Sequence, residues 1–222
     1  MTKRWANVVV VVAVFTLAGG EQASADIISV FDNTSSTDTT YFTAVDSGSW
    51  GAQKFTAAGI DSVTSASLYV RRTSGNTGLL LEIWSDNFGV PGSSLGTLTS
   101  PTVGTVAGLY EFGTPSSDDV SVTVGKTYWA VLKGQNFGTY DWYLASSSTG
   151  TGGGFSTDWA YSGAGSWFDG NSLYAHPLVM DLKGNEPPAA IPEPATFVLF
   201  GGALIAAIGC VRRKTRRIKA AV

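Results

Sequence analysis

Hydrophobic and polar positions alternate with a period of two in short runs between residues 26 and 190, and no run keeps a helical period for three turns. In residues 67–72, for example, Leu68 and Val70 share one face, and Ser67, Tyr69 and Arg71 share the other. Gly, Ser and Asn separate such runs at spacings of roughly ten residues. The pattern predicts an all-β fold, an antiparallel two-sheet β-sandwich of jelly-roll type.

The predicted strands are short, as expected for a sandwich of roughly nine to eleven strands. They are Ile27–Phe31, Trp50–Thr56, Val63–Arg72, Leu79–Trp84, Ser94–Thr99, Gly108–Phe112, Val120–Val124, Thr127–Lys133, Thr139–Leu144 and Leu173–Leu182. Thr127–Lys133 and Leu79–Trp84 are expected to be central in a sheet, because both of their faces are largely apolar. Polar and turn-forming residues predict loops at 34–40, 85–92 and 145–154. Pro177 predicts that the last strand is an edge or bulged strand.

The first 25 residues have the composition of a cleavable signal peptide. Lys3 and Arg4 form a positive start, residues 8–18 an apolar core, and Ala23 and Ala25 a small-residue cleavage site. The apolar core is too short for a permanent membrane span, which needs about 17–25 residues. The exported chain is therefore expected to begin at Asp26.

The last 37 residues contain a linker, an apolar segment and a basic tail. The linker, 186–194, ends in Pro192, Glu193 and Pro194. Residues 195–211 carry no charge and are just long enough for a single transmembrane helix. The tail, 212–222, is predicted to be cytoplasmic because positive charge collects on that side of a span. Its basic stop consists of Arg212, Arg213, Lys214, Arg216 and Arg217.

This order of parts resembles the PEP-CTERM sorting signal of exopolysaccharide-producing Gram-negative bacteria, with Pro192, Glu193 and Pro194 at its three motif positions. The resemblance implies a precursor held in the inner membrane during transit. It also implies that an exosortase-type enzyme removes the helix and passes the mature protein to the cell surface or outside the cell. An ordinary C-terminal membrane anchor is the alternative interpretation.

Residues 26–185 form the predicted β-sandwich ectodomain, and the charge of the exported part limits its partners. Residues 26–191 keep six of the fourteen Lys and Arg and fifteen of the seventeen Asp and Glu, a balance of −9. Nucleic acid is therefore an unfavourable partner. An acidic polysaccharide would need bridging divalent cations. Cys210, the single cysteine, lies in the removable tail, so the exported domain has neither a disulfide nor a thiolate metal ligand.

Residues with catalytic potential are few. His176, the single histidine, precedes Pro177 and has no nucleophile-elbow sequence to serve. Asp118 and Asp119 are adjacent and would point to opposite faces of a strand. Glu82 and Glu111 could form a glycosidase pair only if the fold brought their strands together.

No cofactor is expected, although a structural calcium ion stays an open alternative. The predicted turns Asp32-Asn33 and Ser85-Asp86-Asn87 offer oxygen ligands. Asx side chains in turns, however, usually bond their own backbone.

Aromatic residues late in the chain are candidates for stacking on sugars. Tyr140 and Trp142 share one face of a predicted strand and Asp141 and Tyr143 the other, so one of these pairs is expected to face solvent. The alternative is that the aromatic residues form the core, which a domain without disulfides requires. The sugar-stacking candidates are Tyr140, Trp142, Trp159 and Trp167.

The ectodomain resembles the "choice-of-anchor" modules of bacterial surface proteins, with type R as the nearest. The resemblance lies in residues 53–55, 68–71, 84–95 and 125–132. It implies a secreted β-sandwich of unassigned activity and supplies no catalytic residues. The predicted function is that of an exported, non-enzymatic protein of the cell surface or the extracellular matrix. The alternative is a polysaccharide-binding module of the envelope or biofilm matrix, and a glycosidase comes third.

Overall fold

The computed structural model describes residues 25–75, 78–113, 119–163 and 165–188, which fold into strands with two single-turn 3-10 helices, Thr34–Ser36 and Gly170–Ser172. The strands are β1 (Ile27–Asp32), β2 (Thr37–Val45), β3 (Ser49–Thr56), β4 (Ser62–Ser74), β5 (Leu79–Asn87), β6 (Val90–Leu98), β7 (Gly108–Gly113), β8 (Val120–Ser121), β9 (Thr127–Gly134), β10 (Thr139–Ala145), β11 (Trp159–Gly163), β12 (Ser166–Asp169) and β13 (Met180–Asn185).

The predicted signal peptide up to residue 24, the predicted transmembrane helix and the basic tail lie outside the described residues. Within the described ranges, no helix has the length and hydrophobicity needed to cross a membrane.

The strands form two antiparallel sheets. Sheet A has the order β1-β13-β4-β10-β2, with β7 and β8 also paired to β4. Sheet B has the order β12-β11-β3-β9-β5-β6. The predicted two-sheet antiparallel sandwich is thereby confirmed.

The long strand β4 organises sheet A. Along one edge it pairs first with β13, where Leu68 lies opposite Met180, and then with β10, where Val70 lies opposite Trp142. Along its other edge it pairs with β7 and β8. Leu68 and Val70 are fully buried, whereas the alternate residues Ser67 and Tyr69 are partly exposed. The period of two in the sequence therefore selects the face that enters the core.

The core lies between the sheets and contains aromatic and branched aliphatic side chains from both of them. Burial of these apolar side chains is the main source of stability for a domain that has no disulfide. Its largest fully buried members are Trp142, Tyr140, Phe31, Phe55, Phe112, Ile60, Leu68, Leu81, Ile83, Leu98 and Leu132.

The backbone of Leu178 is held by two buried side-chain amides. The Gln53 Oε1 accepts the Leu178 N–H at 2.8 Å, and the Asn33 Nδ2 donates to the Leu178 carbonyl at 3.0 Å. Asn33 Oδ1 also accepts the Met180 N–H at 2.7 Å. A buried backbone group without a partner is costly, so these amides allow an irregular segment to run through the core. Gln53 also ties β3 of sheet B to the segment that leads into β13 of sheet A.

Several predicted boundaries were wrong. Residues 37–40, predicted as loop, belong to β2, an edge strand whose threonines favour extended backbone without needing an apolar face. The predicted strand 120–124 is reduced to Val120–Ser121. The predicted turn at 85–92 shrinks to Phe88-Gly89, both with positive φ, because Asn87 pairs directly with Val90.

The predicted closing strand 173–182 begins only at Met180. The strand is not at an edge, since β13 lies between β1 and β4. Of the two predicted alternatives, edge or bulged, the second agrees better with the structure, because the pairing of β13 with β4 shifts register between Lys183 and Gly184. Pro177 precedes it, and the Pro177 carbonyl accepts the Ala145 N–H at 2.8 Å. The proline therefore marks the irregular approach to an internal strand, where it takes no N–H from the ladder.

Candidate functional site

The outer face of sheet B carries four tryptophans, which we call the tryptophan face: Trp50, Trp84, Trp129 and Trp167. Each of the first three shares its strand face with a charged residue two or four positions away. Trp50 shares it with Lys54 on β3, Trp84 with Glu82 on β5, and Trp129 with Lys133 on β9. Alternation along a strand thus places the indoles on the side turned away from the core.

Small residues form the floor beneath these indoles. Ala160, Ala52 and Val131 are Cα partners across β11, β3 and β9, and Val131 is in turn opposite Glu82 on β5. All three small residues are at most 2% exposed, and Trp50, Trp84 and Trp167 pack against them. The tryptophan rings thereby form a second, minor hydrophobic cluster on the outside of the sandwich.

Three of the rings contact one another in a triangle. The ring centroids of Trp50 and Trp84 are 6.0 Å apart, those of Trp50 and Trp167 6.1 Å, and those of Trp84 and Trp167 6.2 Å. Ser162, whose neighbours in register are Trp50 and Trp167, leaves room for the two rings to meet above it. The edge strands β12 and β6 also contact each other, and the Trp84 ring of β5 meets the Trp167 ring of β12 across the outer face. Sheet B therefore curls toward its outer face, which is concave.

A lysine ammonium lies between two of these rings. Lys133 Nζ is 4.4 Å from the ring centroids of both Trp50 and Trp84, and 2.6 Å from Glu82 Oε2. The Trp84 indole N–H donates to the same Glu82 oxygen at 2.6 Å, and the Trp129 indole N–H donates to Asp86 at 2.8 Å. Cation–π attraction and the ion pair together orient the rings.

Replacing Lys133 with methionine is expected to lower the free energy of unfolding by about 2 kcal/mol, because it removes two cation–π contacts and leaves a mostly buried Glu82 without its counter-ion. Urea unfolding of the purified protein measures this. The matched control is Lys183→Met, which breaks a 3.3 Å pair with Asp181 in which the lysine is 41% exposed. That control should cost less than about 1 kcal/mol. Equal effects would show that Lys133 contributes no more than a surface charge.

Three of the four predicted sugar-stacking residues lie in the core. Tyr140, Trp142 and Trp159 are 1%, 0% and 3% exposed, so their rings have no face to offer a sugar. For them the sugar-stacking prediction was wrong, because a sandwich without disulfides uses its largest rings to fill the space between its sheets. Trp167 alone of the four lies on the tryptophan face and is partly exposed.

Sequence reasoning missed Trp50 and Trp84 as surface residues, although a signal for them existed. Glu82 and Lys54 mark the outward phase of their strands, and each tryptophan keeps that phase. A charged residue inside an otherwise apolar strand indicates which alternate positions leave the core.

The prediction that one side of strand β10 faces solvent was also wrong. It concerned two pairs of residues, Tyr140 with Trp142 and Asp141 with Tyr143. All four are buried, with Asp141 at 3% and Tyr143 at 2% exposure. The Arg71 guanidinium covers this face, with Nε 2.8 Å from Asp141 and the charge 5.7 Å from the Tyr143 ring centroid. Burial raises the pKa of the Tyr143 hydroxyl, and the hydrogen bond to Asp141 raises the pKa of Arg71.

The carboxylates considered for catalysis are spread over the two sheets. Glu82 lies in β5 of sheet B and Glu111 in β7 of sheet A. Asp119 accepts a hydrogen bond from Asn185 at 2.7 Å, while Asp118 is outside the described residues. His176 Nδ1 lies 3.4 Å from the Ser148 hydroxyl.

The turn carboxylates considered for calcium bond their own turns. Asp32 accepts the Thr34 N–H at 2.9 Å and its hydroxyl at 2.7 Å, and Asp86 accepts the Gly89 N–H at 3.2 Å. Among the residues that the structure describes, no three His, Cys, Asp or Glu side chains are grouped so that they could hold a metal ion.

Comparison with known families identifies the C-terminal signal. Residues 190–214 match the family model of the PEP-CTERM protein-sorting motif. The matched range includes Pro192, Glu193 and Pro194, the apolar segment 195–211 and the start of the basic cluster. No curated protein matches the chain. The predicted sorting motif is confirmed, and it indicates an exported protein that an exosortase-type system processes on its way to the cell surface.

Proposed function

We propose that residues 26–185 are a non-enzymatic β-sandwich of the cell surface or extracellular matrix of a Gram-negative exopolysaccharide producer. The sorting motif at 190–214 carries this proposal. The signal-peptide pattern at residues 1–25 supports it independently, because it directs the same middle segment out of the cytoplasm. In this proposal the precursor spans the inner membrane through residues 195–211 until the exosortase-type enzyme cuts near Pro192.

The positions of the carboxylates support a non-enzymatic role. Acid–base hydrolysis of a glycoside needs two carboxyl groups roughly 5–10 Å apart across one bond. Glu82 and Glu111, the pair considered from the sequence, lie in different sheets, and Glu82 is held by Lys133 and Trp84. A carboxylate engaged in this way is suited to fixing neighbouring rings rather than to exchanging protons.

A second candidate function is binding of polysaccharide in the envelope or biofilm matrix. The concave tryptophan face favours it, because indoles that are left partly exposed on a curled sheet offer large, rigid and amphipathic surfaces. Under this proposal the sandwich is a ligand-holding module, and export places it among the sugar polymers of the cell surface.

We also propose that the ectodomain is a jelly-roll module of the choice-of-anchor kind. Its support is the resemblance of residues 53–55, 68–71, 84–95 and 125–132 to that group. Those residues lie in β3, β4, the β5–β6 hairpin, and β9 with the two residues before it. Such modules are joined to different sorting tails, and this chain has its tail at 190–214.

Mass spectrometry of the protein recovered from the producing cells tests the proposed route. We expect a chain that begins at Asp26 and ends near Pro192, lacking residues 195–222. Alanine in place of Pro192, Glu193 and Pro194 together should leave the C-terminal segment uncut and the protein in the membrane fraction. The expected change is nearly complete loss of the trimmed form.

The matched control replaces Pro187 and Pro188 with alanine, since both lie before the matched residues 190–214. This variant should be trimmed like the unaltered chain. An intact product with both ends uncut in the cytosol would contradict the proposed route, as would identical trimming of the motif variant.

A further inference from the structure

We infer that the tryptophan face binds a neutral polysaccharide, whose sugar rings stack on the partly exposed indoles of Trp50, Trp84 and Trp167. The inference rests on the polysaccharide-binding candidate above and gives it a place and a ligand class. It moves the stacking surface away from Tyr140, Trp142 and Trp159, which are buried.

The first argument is the presence of large rings on a face that does not enter the core. Trp50, Trp84 and Trp167 come from three different strands, β3, β5 and β12, and meet on the outside of sheet B. The residues beneath the rings include Ala52 and Ala160, whose side chains are too small to separate the rings. The rings are thereby gathered at one place, which suits the extended apolar face of successive sugar rings.

The second argument is the polar set around the rings. Glu82, Asp86 and Lys133 are fixed by hydrogen bonds or an ion pair to one another or to the tryptophans. Carboxylates accept and an ammonium donates, so the face offers both kinds of partner to sugar hydroxyls. Because these side chains are already oriented, binding a ligand would cost the protein little additional side-chain entropy.

The third argument is charge, and it selects a neutral polymer. Both cations of the face are already paired, Lys133 with Glu82 at 2.6 Å and Lys54 with Asp158 at 2.9 Å. Asp86 and Asp169 add negative charge to the same region, within an exported part that carries a balance of −9. An acidic polysaccharide would be repelled, whereas a neutral one pays no such electrostatic cost.

Affinity electrophoresis of the processed protein in gels that contain a soluble polysaccharide tests the inference. The neutral probes are dextran, galactomannan, hydroxyethylcellulose and the neutral fraction of the producing cells' own polymer, and the acidic probe is polygalacturonate. We expect retardation by at least one neutral probe and none by polygalacturonate. Trp167→Ala should weaken the apparent affinity about tenfold, the loss of one stacking contact.

The matched control is Phe42→Ala, which removes an aromatic ring that is 41% exposed on sheet A. The apparent affinity of this variant should stay within about twofold of that of the unaltered protein, well short of the tenfold loss expected for Trp167→Ala. Trp167→Tyr keeps an aromatic ring at the same position and should retain most of the affinity, even if the alanine variant folds poorly. Circular dichroism verifies the fold of each variant.

Each contrary outcome has a distinct meaning. If Phe42→Ala weakens retardation and Trp167→Ala does not, the assigned face is wrong while polysaccharide binding stands. Retardation by polygalacturonate alone overturns the neutral ligand class. No retardation by any neutral probe overturns the inference as a whole, and so does concentration-dependent dimerisation in gel filtration that Trp167→Ala abolishes. None of these results affects export, which the trimmed mass reports separately.

Discussion

Trp142→Ala is expected to lower the free energy of unfolding by about 3–5 kcal/mol, the usual cost of truncating a large buried ring. Trp142 is 0% exposed and lies between the sheets. Its indole N–H donates to the Val179 carbonyl at 2.9 Å, so the change also leaves a buried acceptor without that partner. Equilibrium unfolding in urea, followed by circular dichroism, measures the loss.

Trp167→Ala is the control for this prediction, because Trp167 is a partly exposed ring outside the main core. Its expected cost is about 1–2 kcal/mol, in proportion to the smaller area that it buries. The two tryptophans should therefore separate stability from binding. Trp142→Ala should reduce stability most, and Trp167→Ala should reduce retention by polysaccharide most. A Trp142→Ala protein as stable as the unaltered chain would contradict the placement of this ring in the core.

Gln53→Leu is expected to cost about 3–5 kcal/mol, because it removes one buried side chain with four backbone partners. Gln53 is 0% exposed. Its Oε1 accepts the Leu178 N–H, and its Nε2 donates to the carbonyls of Lys54, Ser156 and Asp158 at 2.9–3.1 Å. Leucine has a similar volume but leaves these polar groups without that partner inside the protein. Urea unfolding again measures the effect.

Gln135→Leu serves as the control for Gln53→Leu, since Gln135 is exposed. Its cost should be within about 0.5 kcal/mol of zero. Hydrogen exchange offers a second measurement. In the Gln53→Leu protein the Leu178 amide should exchange faster than in the unaltered chain, whereas the Tyr128 amide in β9 should keep most of its protection. Equal protection of Leu178 in both proteins would show that Gln53 does not hold that segment.

The sorting motif could be recognised from the linear order of residues alone. Pro192, Glu193 and Pro194, an uncharged segment and a basic cluster form a signal that a membrane enzyme reads from a short stretch of chain. Most strands could also be predicted from the sequence, because the alternation in 62–74 and the continuous apolar run in 128–132 are local patterns typical of strands. Edge strand β2 escaped detection, since an edge exposed on both faces needs no apolar alternation.

The direction in which each aromatic ring points was decided only by the tertiary structure. Period two divides residues 139–145 into two faces, yet Tyr140, Trp142, Asp141 and Tyr143 are all buried, because Arg71 and neighbouring rings cover the second face. The partnership of Trp50, Trp84 and Trp167 likewise depends on the pairing order of sheet B and on its curvature. Local sequence determines the alternation within each strand and the sorting motif. Contacts between distant strands form only once the strand order and the twist of the sheet are set.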